Sequence, residues 1–274
     1  NPEQSLRESC DVYYYDLALK VGIERIAQTA RRLGLGEAHN VPMSAVTSGL
    51  IPDKDWKRRE RGADWVIGDS VNASIGQGFV LSSPLQLAVM SARLATGRSV
   101  TPRLVKSIDG LETPPQGGSD MGFNPNHLLQ LRRAMFAVSN NRRGTAYGSR
   151  IIEETMRMAG KTGTSQVRNI TAAERARGVT SNADLPWERR DHALFVAFAP
   201  WDNPRIAVSV VVEHGGGGST AAAPIARDVV LQALYGEDPP LDAYPTKDRR
   251  RIEAQQERLV RERKARAAEA SSRA

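Results

Sequence analysis

The chain has 274 residues, of which 40% are hydrophobic and 25% charged, the usual balance of a globular protein with a sizeable core. Its formal net charge is +7, but residues 246–274 hold ten Lys/Arg against five Asp/Glu and supply +5 of that total. The basicity therefore belongs to the tail, gives no evidence for a nucleic-acid groove, and leaves nucleic acid off the list of expected partners. No run of about 18 apolar residues marks a membrane span, and the single cysteine, Cys10, excludes an intramolecular disulfide and a multi-cysteine metal site.

The chain opens on Asn1-Pro2-Glu3-Gln4, with no initiating Met and no signal peptide, and reads as a piece of something longer. Leu17, Val21, Ile26 and Leu33 recur at helical spacing over Ser5 to Leu35, and Gly34 and Gly36 stop the run. Tyr13-Tyr14-Tyr15 reads as core and groove wall. Ser9 and Asp11 stand two apart, so they face one site only if they lie in a turn between two helices. From His39 to Asp69 the pattern dissolves into an irregular surface excursion. Ser70 to Leu81 is punctuated by glycine, and Ser83-Pro84 then opens a helix to about Ala95, with Ser at the N-cap and Pro at the first helical position. Val100 to Ile108 reads as a short strand, Glu112 to Asn124 as a loop, and Asn126 to Val138 as a helix. A turn over Asn140 to Ala146 follows, then a weak helix to Glu154.

The second half is richer in strands. Ala159-Gly160-Lys161-Thr162-Gly163-Thr164-Ser165 puts a lysine and hydroxyls between glycines at the start of a strand that runs to about Val167. Glycine lets the backbone approach a ligand closely, and a cation with small hydroxyl donors suits a carboxylate lying along the strand edge. Arg168 to Arg190 reads as a long loop or lid. His192 to Pro200 and Arg205 to Glu213 form a hairpin about the turn Asp202-Asn203-Pro204. Gly215 to Gly218 is a flexible loop, and Ala221 to Leu234 a terminal helix. After Pro239-Pro240 the chain reads as a basic helical or disordered tail with no core face. Residues 1–238 are thus expected to be the folded domain and 239–274 the tail. Helices before, an antiparallel sheet after and a helix closing over it give an α/β sandwich.

Several stretches then coincide in order. Ser9-Cys10-Asp11 resembles the Ser-x-Asn/Asp motif of penicillin-binding proteins, and Lys161-Thr162-Gly163-Thr164 resembles their Lys-Thr/Ser-Gly motif. Cys10-Asp11-Val12-Tyr13-Tyr14-Tyr15, Ser74-Ile75-Gly76-Gln77-Gly78, Pro84-Leu85-Gln86-Leu87, Gly144-Thr145-Ala146 and Arg190-Asp191-His192 fall as in class B peptidoglycan transpeptidases. The likeness is greatest to the group of the elongation-specific penicillin-binding protein 2, and it runs from about Leu6 to about Leu234. It implies the penicillin-binding protein and serine β-lactamase-like fold, an antiparallel sheet flanked by helices. The family's nucleophile stands in a Ser-x-x-Lys motif upstream of Ser-x-Asn/Asp, and no serine here has Lys three residues on. The chain is therefore expected to be the C-terminal portion of a transpeptidase domain, incomplete at its N-terminus and inactive alone.

The resemblance also implies roles. Lys161 holds the substrate carboxylate and assists proton transfers about the serine, Ser9 relays a proton toward the leaving group, and Asp11 holds the missing motif's lysine and the substrate amide. Thr162 and Thr164 bind the carboxylate, Thr164 offers a backbone N–H to the oxyanion, and Gly163 keeps the strand edge clear. The implied reaction is serine acyl transfer between peptidoglycan stem peptides ending in D-Ala-D-Ala, with β-lactams as inhibitors. Implied partners are lipid-linked glycan strands and membrane proteins of the elongation complex, including a glycosyltransferase. The implied location is the periplasmic face of a bacterial inner membrane, by way of an N-terminal anchor. No metal or cofactor is expected: His192 and His214 have no carboxylate or Cys at ligand spacing. Two other readings of the same fold stay open, a serine β-lactamase or carboxypeptidase, and a non-catalytic penicillin sensor or scaffold.

Overall fold

Three antiparallel strands, in spatial order β3-β4-β5, carry the site in a computed structural model that describes residues 1–113 and 117–273. β3 (Ala159–Ser165) pairs with β4 (His192–Ala199), which pairs in turn with β5 (Ile206–Val212). The register sets Lys161 opposite Val196, Thr162 opposite Phe195 and Thr164 opposite Ala193. Among the described residues β3 has no partner on its other side, so alternate N–H and C=O groups of the Lys-Thr-Gly strand face outward.

The long helical reading of Ser5 to Leu35 resolves into three helices: α1 (Pro2–Arg7), α2 (Asp11–Val21) and α3 (Ile23–Arg32). The first break is Ser9-Cys10, where Ser9 adopts a left-handed φ of 55°, and the second is Gly22 at φ 83°. A β-carbon disfavours the first of these conformations and glycine tolerates the second. The excursion from His39 to Asp69 contains a helix after all, α4 (Lys54–Arg61), for which Asp53 accepts the Trp56 N–H as N-cap and Gly62 closes the C-terminus in the left-handed region. Then come α5 (Ile67–Ser74) and α6 (Pro84–Thr96), where Ser83 and Gln86 form a reciprocal capping box.

The strand expected over Val100 to Ile108 is only β1 (Ser107–Ile108), paired with β2 (Leu111–Glu112). Asp109-Gly110, both at positive φ, turns the chain in two residues. Residues 114–116 of the following loop lie outside the described residues. α7 (Pro125–Asn140) is capped by Asn124. The segment after β3, expected to be a long loop or lid, holds a short helix, α8 (Ala172–Arg177). The chain then forms α9 (Ala223–Tyr235) and α10 (Thr246–Arg273).

The core lies on one face of the sheet, where Phe195, Ala197, Val138, Met158, Val230 and Leu231 are all fully buried. Gly160 is a packing requirement: a Cβ there would lie 2.5 Å from Phe195 Cζ. The other face packs against α6, whose buried Ser91 Oγ donates to the Ala197 carbonyl at 3.0 Å. Tyr244 and Ile252, each 3% exposed, join the main core, so the segment expected to lack a core face has one over its first turns. Arg227 on α9 is fully buried and pairs with Asp228 and with Asp248 of α10.

Candidate active site

Lys161 and Ser9 meet across a cleft of about 760 Å³ that runs along the open edge of β3. Lys161 Nζ donates to Ser9 Oγ at 2.9 Å and to the Thr162 carbonyl at 2.8 Å. Since the ammonium occupies an acceptor site on Ser9, the Ser9 O–H is free to donate elsewhere. Burial pulls the lysine pKa down from 10.5 to about 8, and the negative charge of Asp11 acts against that fall. Asp11 is the first residue of α2 and lines the same cleft. The turn between α1 and α2 thus brings Ser9 and Asp11 to one side, as their spacing required.

The hydroxyl of Thr162 lies 2.9 Å from that of Thr145, and the Thr145 N–H is itself fixed by the Arg7 carbonyl at 3.2 Å. Gln77 Nε2 donates to the Thr164 carbonyl at 3.0 Å from across the cleft. In a strand the N–H and C=O of one residue point the same way, so the Thr164 N–H also faces the open edge. Gly163 has its β4 neighbour close by, since a Cβ there would lie 3.3 Å from Leu194 Cβ. Gly218 passes over this pair so closely that its own Cβ would meet the Leu194 carbonyl at 2.3 Å and the Gly163 carbonyl at 2.5 Å. Backbone therefore stacks directly on the site strand.

Tyr14 and Tyr15 form part of the wall. The Tyr14 hydroxyl accepts from Ser5 at 3.4 Å, and burial raises its pKa. Beyond the end of β3, His192 Nδ1 accepts the His214 N–H at 2.9 Å, which ties the start of β4 to the end of β5. Among the described residues no group of His, Cys, Asp and Glu has the arrangement of a metal site.

The geometry gives one cation held between a hydroxyl and a strand carbonyl, hydroxyls on either side of it, and an outward N–H two residues on. That is a grip for a carboxylate beside a reacting carbonyl. The family model described as "Penicillin binding protein transpeptidase domain" matches residues 1–231. The chain belongs to the penicillin-binding protein transpeptidase family. Within it the likeness is to class B members of the penicillin-binding protein 2 (MrdA) type. The chain is 33% identical over 247 residues to peptidoglycan D,D-transpeptidase MrdA of Haemophilus influenzae, covering 88% of this chain and 37% of that protein. It is 34% identical to PBP2 of Pseudomonas aeruginosa, solved in complex with WCK 5153, with a TM-score of 0.72 over 89% of this chain and 51% of that one. PBP2 of Helicobacter pylori, solved in complex with MreC, gives 32% identity and a TM-score of 0.70 over 85% of this chain and 40% of that one. The chain thus spans well under two thirds of the length of these penicillin-binding proteins. The fold expected from the motifs, helices about an antiparallel sheet, is the fold of this family.

Ser9, Asp11, Lys161, Thr162, Gly163 and Thr164 all line the one cleft. Two residues of its lining, Gln77 and Arg175, and Thr145, which braces Thr162 from behind, were not picked out from the sequence. Gln77 and Thr145 stood in stretches quoted for likeness alone, and Arg175 in the expected loop or lid. No local pattern marks a side chain whose partner lies 87 residues away, as for Gln77 and Thr164.

Proposed function

We propose that this chain forms the Lys-Thr-Gly and Ser-x-Asp walls of a serine-type peptidoglycan D,D-transpeptidase active in cell-wall elongation. The observation that carries the reading is the 2.9 Å contact between Lys161 Nζ and Ser9 Oγ inside the family's motif order. In this reaction a serine Oγ attacks the penultimate D-Ala carbonyl of a stem peptide. The C–N bond breaks, and D-Ala leaves with the serine's proton on its amine. An amine from a neighbouring stem then attacks the ester, the C–Oγ bond breaks, and the proton returns to the serine.

Each residue takes a definite part. Lys161, Thr162 and Thr164 hold the terminal carboxylate, and the outward N–H of Thr164 stabilises the oxyanion. Ser9 passes a proton toward the leaving amine, helped by the ammonium that already binds its oxygen. Asp11 steadies positive charge at the cleft and binds the substrate amide. The nucleophile stands in a Ser-x-x-Lys segment upstream of Asn1, so the 274 residues alone do not form an acyl-enzyme. Residues 1–238 are the C-terminal part of the catalytic domain, and 239–274 extend it. The whole protein works at the periplasmic face of the inner membrane on lipid-linked glycan strands, beside elongation-complex partners that include a glycosyltransferase. The complex of H. pylori PBP2 with MreC supports a protein partner, and a similar structure solved for the coordination of polymerization and crosslinking in a peptidoglycan synthase complex supports a polymerising one. β-Lactams, which resemble the D-Ala-D-Ala terminus, acylate the same serine.

The test is fluorescent-penicillin labelling of the full-length protein, of the same protein with the Ser-x-x-Lys serine replaced by Ala, and of residues 1–274 alone. A covalent band in the first only is the expected result. A full-length protein that takes no label, or one that keeps it without that serine, overturns the reading. Rapid hydrolysis of nitrocefin in place of a stable adduct would make the protein a β-lactamase.

A further inference from the structure

Among the described residues, one hydrogen bond joins α5 and the turn after it to β3 across the cleft: Gln77 Nε2 donates to the Thr164 carbonyl at 3.0 Å. The backbone behind that donor is held. α5 packs on α2, and the Gln77 N–H donates to the Asn72 carbonyl at 2.9 Å, which folds the chain back against the end of the helix. Gly76 and Gly78, at φ 74° and 71°, make this turn in the left-handed region on either side of Gln77. A Cβ on Gly78 would also lie 3.1 Å from that of Asn72. The flexible side chain of Gln77 alone spans the gap.

Its acceptor is the group that a ligand strand needs. β3 has an open edge, and in a hydrogen-bonded antiparallel pair each residue exchanges both its N–H and its C=O with the residue opposite. The transpeptidase reading gives the outward Thr164 N–H to the carbonyl oxygen of the penultimate D-Ala. The same pairing brings that residue's own N–H to the Thr164 carbonyl, which the Gln77 amide occupies. A carbonyl has a second lone pair. The Gln77 side chain, however, reaches Thr164 through the space between the walls, where the peptide has to lie, so the two donors exclude each other on volume.

We infer that Gln77 is a positioning residue that latches the substrate track. In the free protein its amide stands in for the peptide N–H on Thr164, and it swings away when a stem peptide pairs with β3. The inference rests on the transpeptidase reading and goes beyond it, since the latch sets how much of the free protein is open to substrate. Gln77 is half-buried and Thr164 exposed, so water can replace either partner and the bond opens at modest cost. The latched fraction lowers the apparent affinity for substrate without touching the reacting atoms.

The experiment measures acylation of the full-length protein over a range of concentrations of fluorescent penicillin, whose side-chain amide N–H stands beside the lactam carbonyl. Wild type is compared with Gln77→Met, which keeps the length and removes the donor, and with Gln77→Ala, which removes the arm. Each should raise the second-order rate constant about three- to tenfold, the range of one net hydrogen bond, and leave the limiting rate at saturation unchanged within about twofold. A merely structural Gln77 would instead give slower acylation and a lower thermal midpoint. A second-order constant no higher than the wild type's in a folded variant overturns the inference. So does a structure of the penicillin adduct in which Gln77 Nε2 still bonds the Thr164 carbonyl. In both cases labelling of the wild type leaves the transpeptidase reading standing. A wild type that takes no penicillin removes that reading, and the inference with it.

Discussion

Lys161 Nζ and Ser9 Oγ are 2.9 Å apart although 152 residues separate them in the chain. The contact joins the edge strand of the sheet to the turn between the first two helices, and the charge at that junction sits in a partly dry place. Burial brings the lysine to about 8, so its charge state changes within an accessible pH range.

The activity consequence follows from the sign of that shift. Protonated Lys161 holds the substrate carboxylate, so penicillin acylation of the full-length protein falls as pH rises through about 8. Asp11 opposes the fall in the lysine pKa, and Asp11→Asn therefore moves the alkaline limb to lower pH. Stopped-flow acylation rates from pH 6 to 10 give both curves. An alkaline limb that stays in place in Asp11→Asn removes the coupling.

Stability carries the opposite mark. Below about pH 8 the lysine is charged in both states and the burial penalty stands in full; between 8 and its ordinary value of 10.5 only the unfolded chain keeps the proton, so the penalty is relieved as pH rises. The shift caps the penalty at roughly 3 kcal/mol. Because Ser9 Oγ and the Thr162 carbonyl lose a partner, Lys161→Met should stabilise the fold at pH 7 by on the order of 1–2 kcal/mol. Urea unfolding at pH 7 and pH 10 checks this, and the gain should be smaller at the higher pH.

The hydroxyl pair of Thr145 and Thr162, 2.9 Å apart, fixes the side chain beside the lysine. Thr145→Val keeps the shape and removes that bond, worth about 1 kcal/mol. Penicillin acylation should slow about fivefold with little change in the thermal midpoint. An equal loss of folded protein would assign Thr145 to the scaffold alone.

Two glycines of the site strand differ in kind. A Cβ on Gly160 meets Phe195 Cζ at 2.5 Å and the Val196 carbonyl at 2.6 Å, whereas one on Gly163 meets only Leu194 Cβ, at 3.3 Å. Gly160→Ala should destabilise by roughly 1–3 kcal/mol and Gly163→Ala by less. Thermal unfolding of the two variants ranks them, and the reverse order would contradict the packing described here.

Much of this arrangement could be read from the sequence where the signal was local. Ser83-Pro84 announced α6 by its cap, and Asp202-Asn203-Pro204 announced the β4-β5 hairpin. The Lys-Thr-Gly run stood out because it sets a cation and small hydroxyls between glycines at the start of a strand, which suits a carboxylate. Other local signals were present and passed over. Asp53 and Gly62 bracket α4 as cap residues, and Asp109-Gly110 is a two-residue hairpin turn in the gap between an expected strand and an expected loop. The remaining features belong to tertiary structure. Thr145, Gln77 and Arg175 matter through partners or a cleft that sequence spacing does not encode. Ile252 reaches the core from a segment so charged that its one buried face is lost in the pattern.

That segment also offers a stability test. Arg227 has no exposure, and Asp248 of α10 shares its charge with Asp228. Asp248→Ala leaves one acidic partner in place, so the cost falls short of the 3–5 kcal/mol expected of a broken buried pair, at about 1–3 kcal/mol. Urea unfolding of the variant measures it, and an unchanged midpoint would mean that α10 does not brace the domain.

The most direct test of the account is the rate of covalent penicillin labelling in the full-length protein with Lys161→Gln beside the wild type. Loss of a charge that acts on the transition state should slow acylation by roughly 100-fold or more, with the circular dichroism spectrum unchanged. Labelling of Lys161→Gln at the wild-type rate would contradict the claim that Lys161 and Ser9 form the wall of an acyl-transfer site.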